Sequence, residues 1–205
     1  LGGSSNTASS NTAVGRDAGN SITTGDRNVA VGGLALDANT VGVRNVAIGY
    51  QALTTDTQGS RSVAIGHNAL SVQNFTSATD SYNTAVGHEA GAAVSTATNN
   101  TLIGGLAGDA ITTGNANTLV GASSGTGLTV GGQNVAVGRN SLVADTQGSR
   151  AIAIGEGALY SQNFTSATNN YNIAIGYDAG LSVTTGLKNI LIGGLAGDAL
   201  TTGGN

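Results

Sequence analysis

A short unit, Asn-(Thr/Val/Ile)-(Ala/Leu)-(Val/Ile)-Gly, returns along the whole chain at a nearly fixed step, and that step limits the fold more than any other feature. Its glycines are Gly15, Gly32, Gly49, Gly66, Gly87, Gly104, Gly121, Gly138, Gly155, Gly176 and Gly193, separated by 17 residues except for two steps of 21. Four steps of 17 and one of 21 make 89, and at that distance whole segments come back. Residues 104–110 reappear as 193–199, residues 56–61 as 145–150, and residues 73–79 as 162–168. Fixed periods of this kind mark architectures in which each unit covers the apolar face of the next. A helix-pair repeat needs about 33 residues or more, so a step of this size is too short for one.

The unit itself reads as a strand. Three residues before each glycine stands Thr, Val or Ile, from Thr12 to Ile190, and one residue before it stands Val or Ile. β-branched side chains favour the pleated backbone. The position between them is always Ala or Leu and points to the opposite face. A strand apolar on both sides is expected to be covered on both sides. Either row can fill the coil: the Val31 set with the Ala30 set outside, or the reverse. Whichever row faces out makes a long apolar stripe, which marks an interface. Symmetric association of several chains would bury it, and three-fold symmetry suits a fibre.

The rest of the unit supplies the corners. Asn opens nine of the eleven strands, among them Asn28, Asn45, Asn83, Asn134 and Asn172, ahead of Gly32, Gly49, Gly87, Gly138 and Gly176; Ser62 and Ala151 are the exceptions. Two readings are open for it: amide-to-amide bonds along the stack, or a left-handed turn position. Three residues after the glycine comes Ala or Ser, then Leu or Gly, then a Thr-rich stretch ending in a turn such as Thr23-Thr24-Gly25. Each coil is therefore expected to run strand, corner, shorter strand, glycine turn. The fold class predicted is all-β: a parallel β-solenoid spanning residues 1–205 as a single array of 11 coils, stacked at about 4.8 Å into a rod of roughly 50 Å.

Composition narrows the function. Charged residues are 9% of the chain and the formal net charge is −4. Seven Lys and Arg spread over 205 residues give no basic footprint for nucleic acid. No apolar run is long enough to span a membrane in this segment. With no Cys, disulfides and thiolate metal sites are excluded, and with no Met the sequence is expected to be a window cut from a longer fibre.

The units of residues 11–19, 45–53 and 172–180, reading NTAVGRDAG, NVAIGYQAL and NIAIGYDAG, resemble two known families. One is the tail-fibre proteins of bacteriophages, cyanophages among them, with arrays of this nonapeptide separated by Thr-Thr-Gly turns. The other is the head of trimeric autotransporter adhesins, built on a similar but shorter repeat. The resemblance covers the chain from about Asn11 onward and implies a left-handed β-roll assembled as a homotrimer. The 17-residue step and the Thr-Thr-Gly turns favour the phage fibre. Expected on that basis is a structural shaft or adhesion segment of a trimeric viral tail fibre, in the virion, engaged in host-surface attachment. The alternative is the head of a bacterial adhesin on the outer cell surface.

The two 21-residue coils carry the least repetitive chemistry. Asn74, Phe75 and Tyr82 lie in the first; Tyr160, Asn163, Phe164 and Tyr171 lie in the second. Four extra residues are expected to bulge outward, where aromatic and amide groups suit a host cell-surface glycan or protein. The competing reading packs Phe and Tyr back onto the coil. His67 and His88 follow the repeat glycine in adjacent coils and are expected to stack, with Glu89 alongside. Two His and a carboxylate can hold a metal, but Glu156 and Tyr177 stand at the equivalent places 89 residues on, so the expectation is a solvated turn and no cofactor. Asp37, Asp109 and Asp198 lack a calcium-repeat pattern, and residues 104–109 lack the Gly-Lys-Ser/Thr of a phosphate loop. A polysaccharide-cleaving solenoid would need converging carboxylates, and ice binding a regular Thr ladder, which several coils break. No enzymatic activity is expected.

Overall fold

The computed structural model describes residues 7–203. Eleven three-residue strands, from Thr12–Val14 to Ile190–Ile192, form one parallel sheet in which each strand pairs with its counterpart in the next coil. The chain is an all-β parallel solenoid of about eleven turns, and no helix long and apolar enough to cross a membrane occurs among the described residues. Register is kept in phase throughout. Val29 pairs with Val46, Ala30 with Ala47 and Val31 with Ile48, and across the longer coil Val63 still pairs with Thr84. The insertion therefore adds residues without slipping the ladder.

The orientation left open by the sequence is settled by burial. Ala30, Ala47, Leu102, Leu119 and Ala174 are inaccessible and line the interior. The β-branched pairs point outward. The interior admits Leu at the strand centre beside a corner glycine: a Cβ on Gly108 would meet Leu102 Cδ2 at 2.9 Å, and one on Gly125 would meet Leu119 Cδ1 at 2.7 Å. The outer face carries two rows of β-branched side chains, with Val14 58%, Ile48 37%, Ile103 39% and Ile154 36% exposed.

The glycine that ends each strand is excluded from substitution twice over. Its φ lies between 125 and 142° in all eleven units, a region open essentially to glycine. A Cβ there would also land 2.2–2.6 Å from the carbonyl oxygen of the glycine one coil on, from Gly15 through Gly176.

Two further positions share one volume. Four residues after the repeat glycine the backbone is again left-handed, and the residue is Gly or Leu; three residues later a side chain points into the same space. Where the first is Leu (Leu36, Leu53, Leu70, Leu142, Leu159), the second is polar: Asn39, Asp56, Gln73, Asp145, Gln162. Where the first is Gly (Gly19, Gly91, Gly108, Gly125, Gly180, Gly197), the second is Ile22, Val94, Ile111, Leu128, Val183 or Leu200. Steric competition explains the exchange and includes the strand-centre residue, since a Cβ on Gly108 would lie 2.8 Å from Ile111 Cδ1 and 2.9 Å from both Leu102 Cδ2 and Leu119 Cδ1. Leu at φ 50–54° costs about 1–2 kcal/mol of backbone strain, while its full burial returns roughly 1.5–3 kcal/mol. The Gly version buries an aliphatic side chain as well, at Ile22, Val94, Ile111, Leu128 and Val183, and avoids that strain.

Over most of the array asparagine does neither of the things expected of it. The left-handed residue is the one before it, such as Arg27, Arg44 or Tyr82. The amide bonds backbone instead of another amide: Asn28 Oδ1 accepts the Asn45 N–H at 2.8 Å, and Asn28 Nδ2 donates to the Gly42 carbonyl at 2.9 Å. Asn45 and Asn100 repeat the pattern. Each Asn thus clamps the turn through which the chain enters the following coil. A direct amide contact occurs at the end of the array, where Asn189 Nδ2 also donates to Asn172 Oδ1 at 3.1 Å.

The expected shorter strand is replaced over most of the rod by a Thr-rich leg. There Thr23, Thr40, Thr112, Thr129 and Thr184 donate both N–H and hydroxyl to one carbonyl in the next coil. Two-residue strands form on this side only beside the insertions, Gly59–Ser60 with Thr79–Asp80 and Gly148–Ser149 with Thr168–Asn169.

A double-mutant cycle checks the shared volume. Gly108→Leu and Ile111→Ala are each expected to lower stability by about 2 kcal/mol or more. Together they should cost less than the sum by about 1–3 kcal/mol, read from urea midpoints; additive losses would contradict the exchange.

Candidate functional site

The four extra residues of each longer coil form a loop whose base is fixed and whose tip is free. In the first, Phe75 is buried, its N–H donating to Asp56 Oδ1 at 3.2 Å and its carbonyl accepting the Thr57 hydroxyl at 2.9 Å. Phe164 is held the same way by Asp145 and Thr146 in the second. Both phenylalanines, expected as surface-binding candidates, are anchors: an aromatic ring gains more by covering the coil than by standing in water. Residues 76–78 and 165–167 form the exposed tips, tied back by Gln58 Nε2 to the Thr76 carbonyl and Gln147 Nε2 to the Thr165 carbonyl.

Tyrosine behaves differently, because its hydroxyl needs a partner. Tyr82 is 51% and Tyr171 45% exposed. The Arg61 guanidinium bonds the Tyr82 hydroxyl and lies 5.4 Å from its ring centroid, while also holding Asp80 at 2.5 Å. In the second loop Arg150 donates to the Tyr171 hydroxyl at 2.5 Å and to Gln133 Oε1 at 2.9 Å. Asn169 replaces Asp80 there, so the second Arg has no acidic partner among the described residues. Asn74 is exposed and Asn163 half-buried, each accepting a Thr hydroxyl through Oδ1. Tyr160 stands exposed on the corner before the second loop and makes no ring contact with Tyr171. Beside this loop an open groove of about 340 Å³ is bordered by Asn115, Gln133, Ser149 and Asn169, with Val130 as its apolar wall. Exposed phenols, a guanidinium and several amides therefore cluster on one side. The two loops lie five coils apart, about 24 Å at a parallel-sheet spacing.

Beneath each loop runs a buried relay that pattern-reading missed. Ser62 and Ala151 cannot supply the Asn clamp, and a chain of side chains takes its place. Asp56 Oδ1 accepts the Gly59 N–H at 2.9 Å, its Oδ2 accepts from Gln73 Nε2 at 2.5 Å, and Gln73 Oε1 accepts from Asn83 Nδ2 at 2.8 Å. Asp145, Gln162 and Asn172 repeat it. All six side chains are inaccessible to solvent. Backbone partners orient both ends, Gly59 and Phe75 for Asp56, Ala97 and Asn100 for Asn83. Burial pushes the Asp56 carboxyl above its ordinary range, against hydrogen bonds from Gln73, Phe75, Gly59 and Gln58. Asp145 is raised for the same first reason.

The histidines stack as expected. The His67 and His88 ring centroids are 5.2 Å apart with planes within 7°, and Tyr50 continues the column at 5.7 Å from His67. Glu89 Oε1 lies 3.8 Å from His88 Nε2. These are the residues, among those described, whose geometry could hold a metal.

The raised carboxyls set a pH dependence. Between the unfolded value near 3.8 and the higher folded value, the native state binds more protons than the unfolded chain. Stability therefore falls as pH rises through that window and is regained on acidification. Urea midpoints are expected to rise as pH is lowered from 7 toward 4, and an Asp56→Asn/Asp145→Asn variant should flatten the slope. No protein-family model, no curated protein and no solved structure matches the chain.

Proposed function

We propose that this segment is the shaft of a trimeric viral tail fibre, carried on the virion, that holds its insertion loops toward a host cell-surface glycan or protein. The observation that supports it is the outward sheet face. One row is Val or Ile in every coil and the other Val, Ile or Thr, and within the stack Ile48, Ile103 and Ile154 are more than a third exposed. An apolar stripe of this extent requires a cover. The cover that matches its pitch along the whole length is another copy of the same ladder, in register, and closed rotational symmetry satisfies every copy equally.

The same Asn-initiated unit also suits the head of a bacterial trimeric adhesin, placed at the outer cell surface. The 17-residue step and the Thr-Thr-Gly turns favour the fibre.

Sedimentation equilibrium tests the reading. The assembly is expected at three times the 19.8 kDa chain mass. Ile103→Asp with Val120→Asp should release monomers, while Thr76→Asp at a loop tip should leave the mass unchanged. A folded monomer of the unaltered chain would rule out the trimer.

A further inference from the structure

We infer that His67, His88 and Glu89 form a surface site for a divalent transition-metal ion, zinc or nickel, which clips together the two coils that bracket the first insertion. His67 and His88 are the chain's two histidines, and they face each other across consecutive coils. Each follows a repeat glycine, Gly66 or Gly87, so the intervening stretch is the whole 21-residue coil. Strand pairing of Val63–Ile65 with Thr84–Val86 fixes both backbones next to one another, so the two imidazoles are brought together by the main chain without any cost of loop closure.

One ligand atom from each of the three residues lies within 4.8 Å of the other two. Around a tetrahedral ion with bonds of about 2.0–2.1 Å, donor atoms sit roughly 3.3 Å apart. The parallel rings must therefore turn toward a common point and close by up to about 1.5 Å. They are free to do so, since the side chains of His88 and Glu89 are 62% and 36% exposed and His67 is also exposed. Two imidazoles and one carboxylate match the preference of zinc and nickel for nitrogen donors of intermediate softness. Three protein ligands leave a position for water.

The neighbours in the column favour entry from one side. Tyr50 stacks against His67 and closes the lower end. At the other end stands Gly105, where even an added Cβ would meet nothing within 4 Å. The field is favourable as well, since the Asp109 carboxyl is close enough to Glu89 for mutual repulsion, and a cation relieves it. In the second 89-residue block the column carries Glu156, Tyr177 and Asp178, with Arg139 paired to Glu156. That block has the same backbone and lacks the imidazoles, which makes it an internal control.

Calorimetric titration of the full chain with zinc chloride, and separately nickel chloride, in a non-chelating buffer tests the site. One ion per chain is expected. His67→Ala and His88→Ala should each weaken binding by more than about tenfold, the lower end of what even outer-shell changes do at metal sites. Tyr50→Ala should leave the affinity within about twofold, because it ligates nothing; this contrast separates ligation from ring stacking. Glu156→His with Tyr177→His should raise the stoichiometry to two. Saturating metal should also raise the melting temperature of the unaltered chain and not that of His88→Ala. Absence of binding, or binding that survives both histidine substitutions, would overturn the inference.

Discussion

Every coil of this molecule has its own copy as its nearest neighbour, and in-register parallel pairing makes that relation hold at each position separately. A residue is therefore selected by what it does when stacked on itself at the spacing of two strands. The repeat glycine shows the constraint at its strictest. Its carbonyl occupies the place where a Cβ of the preceding coil would stand, for ten successive contacts, so one larger residue would disturb two coils at once. Asparagine shows the productive side. Its amide is as long as the gap it must bridge, accepting from one backbone N–H and donating to one carbonyl of the next coil. Because such bonds replace water at a buried turn, leaving one unmade would cost about 1–3 kcal/mol.

Much of the fold could be read from the sequence because stacking writes itself as periodicity. The strand limits, the in-phase register and the tight corners all follow from the spacing of Gly15 to Gly193. What could not be read was which side of the strand is inside. Alanine and valine are both apolar, and alternation alone names two faces without saying which is the core. Burial decides it, with Ala30, Ala47 and Leu102 inside and Ile48, Ile103 and Ile154 outside, and no local pattern states that. The Gly/Leu exchange with the side chain three residues later was visible in the sequence as a strict pairing across all eleven units. It was missed because each column was read alone, whereas the shared volume is a property of two columns.

The candidate site was legible as a location and illegible in its detail. Four added residues had to leave a ladder that admits no slip, so a projecting loop was the outcome to expect. Phe and Tyr in the same loop then separated by chemistry. Phe75 and Phe164 lose nothing by burial, while Tyr82 and Tyr171 keep their hydroxyls at the surface on Arg61 and Arg150. The relay from Asp56 through Gln73 to Asn83 left a trace in the sequence. Ser62 and Ala151, the two exceptions to the Asn rule, are the places where a substitute clamp was needed. Reading an exception as a loss hid the fact that it marks a compensating network.

These relays also explain how the rod carries loops without breaking. A longer coil moves the turn away from the Asn that would have clamped it, and an ordinary apolar interior could not then satisfy the exposed backbone. Polar side chains at the exchange position solve this only in the Leu version, where the aliphatic bulk has moved to the neighbouring residue. Four of the five Leu coils accordingly gather at the insertions: Leu53 and Leu70 with Asp56 and Gln73, Leu142 and Leu159 with Asp145 and Gln162. Buried carboxylates are costly, and a chain that needed only a straight rod would use the Gly version throughout. Paying that cost twice, at the same distance of 89 residues, places two loops on one side of a stiff support at a fixed separation. In the attachment role proposed above, a rigid spacing of this kind would let weak contacts act together on a repetitive surface, since the second contact forms at the effective concentration set by the rod.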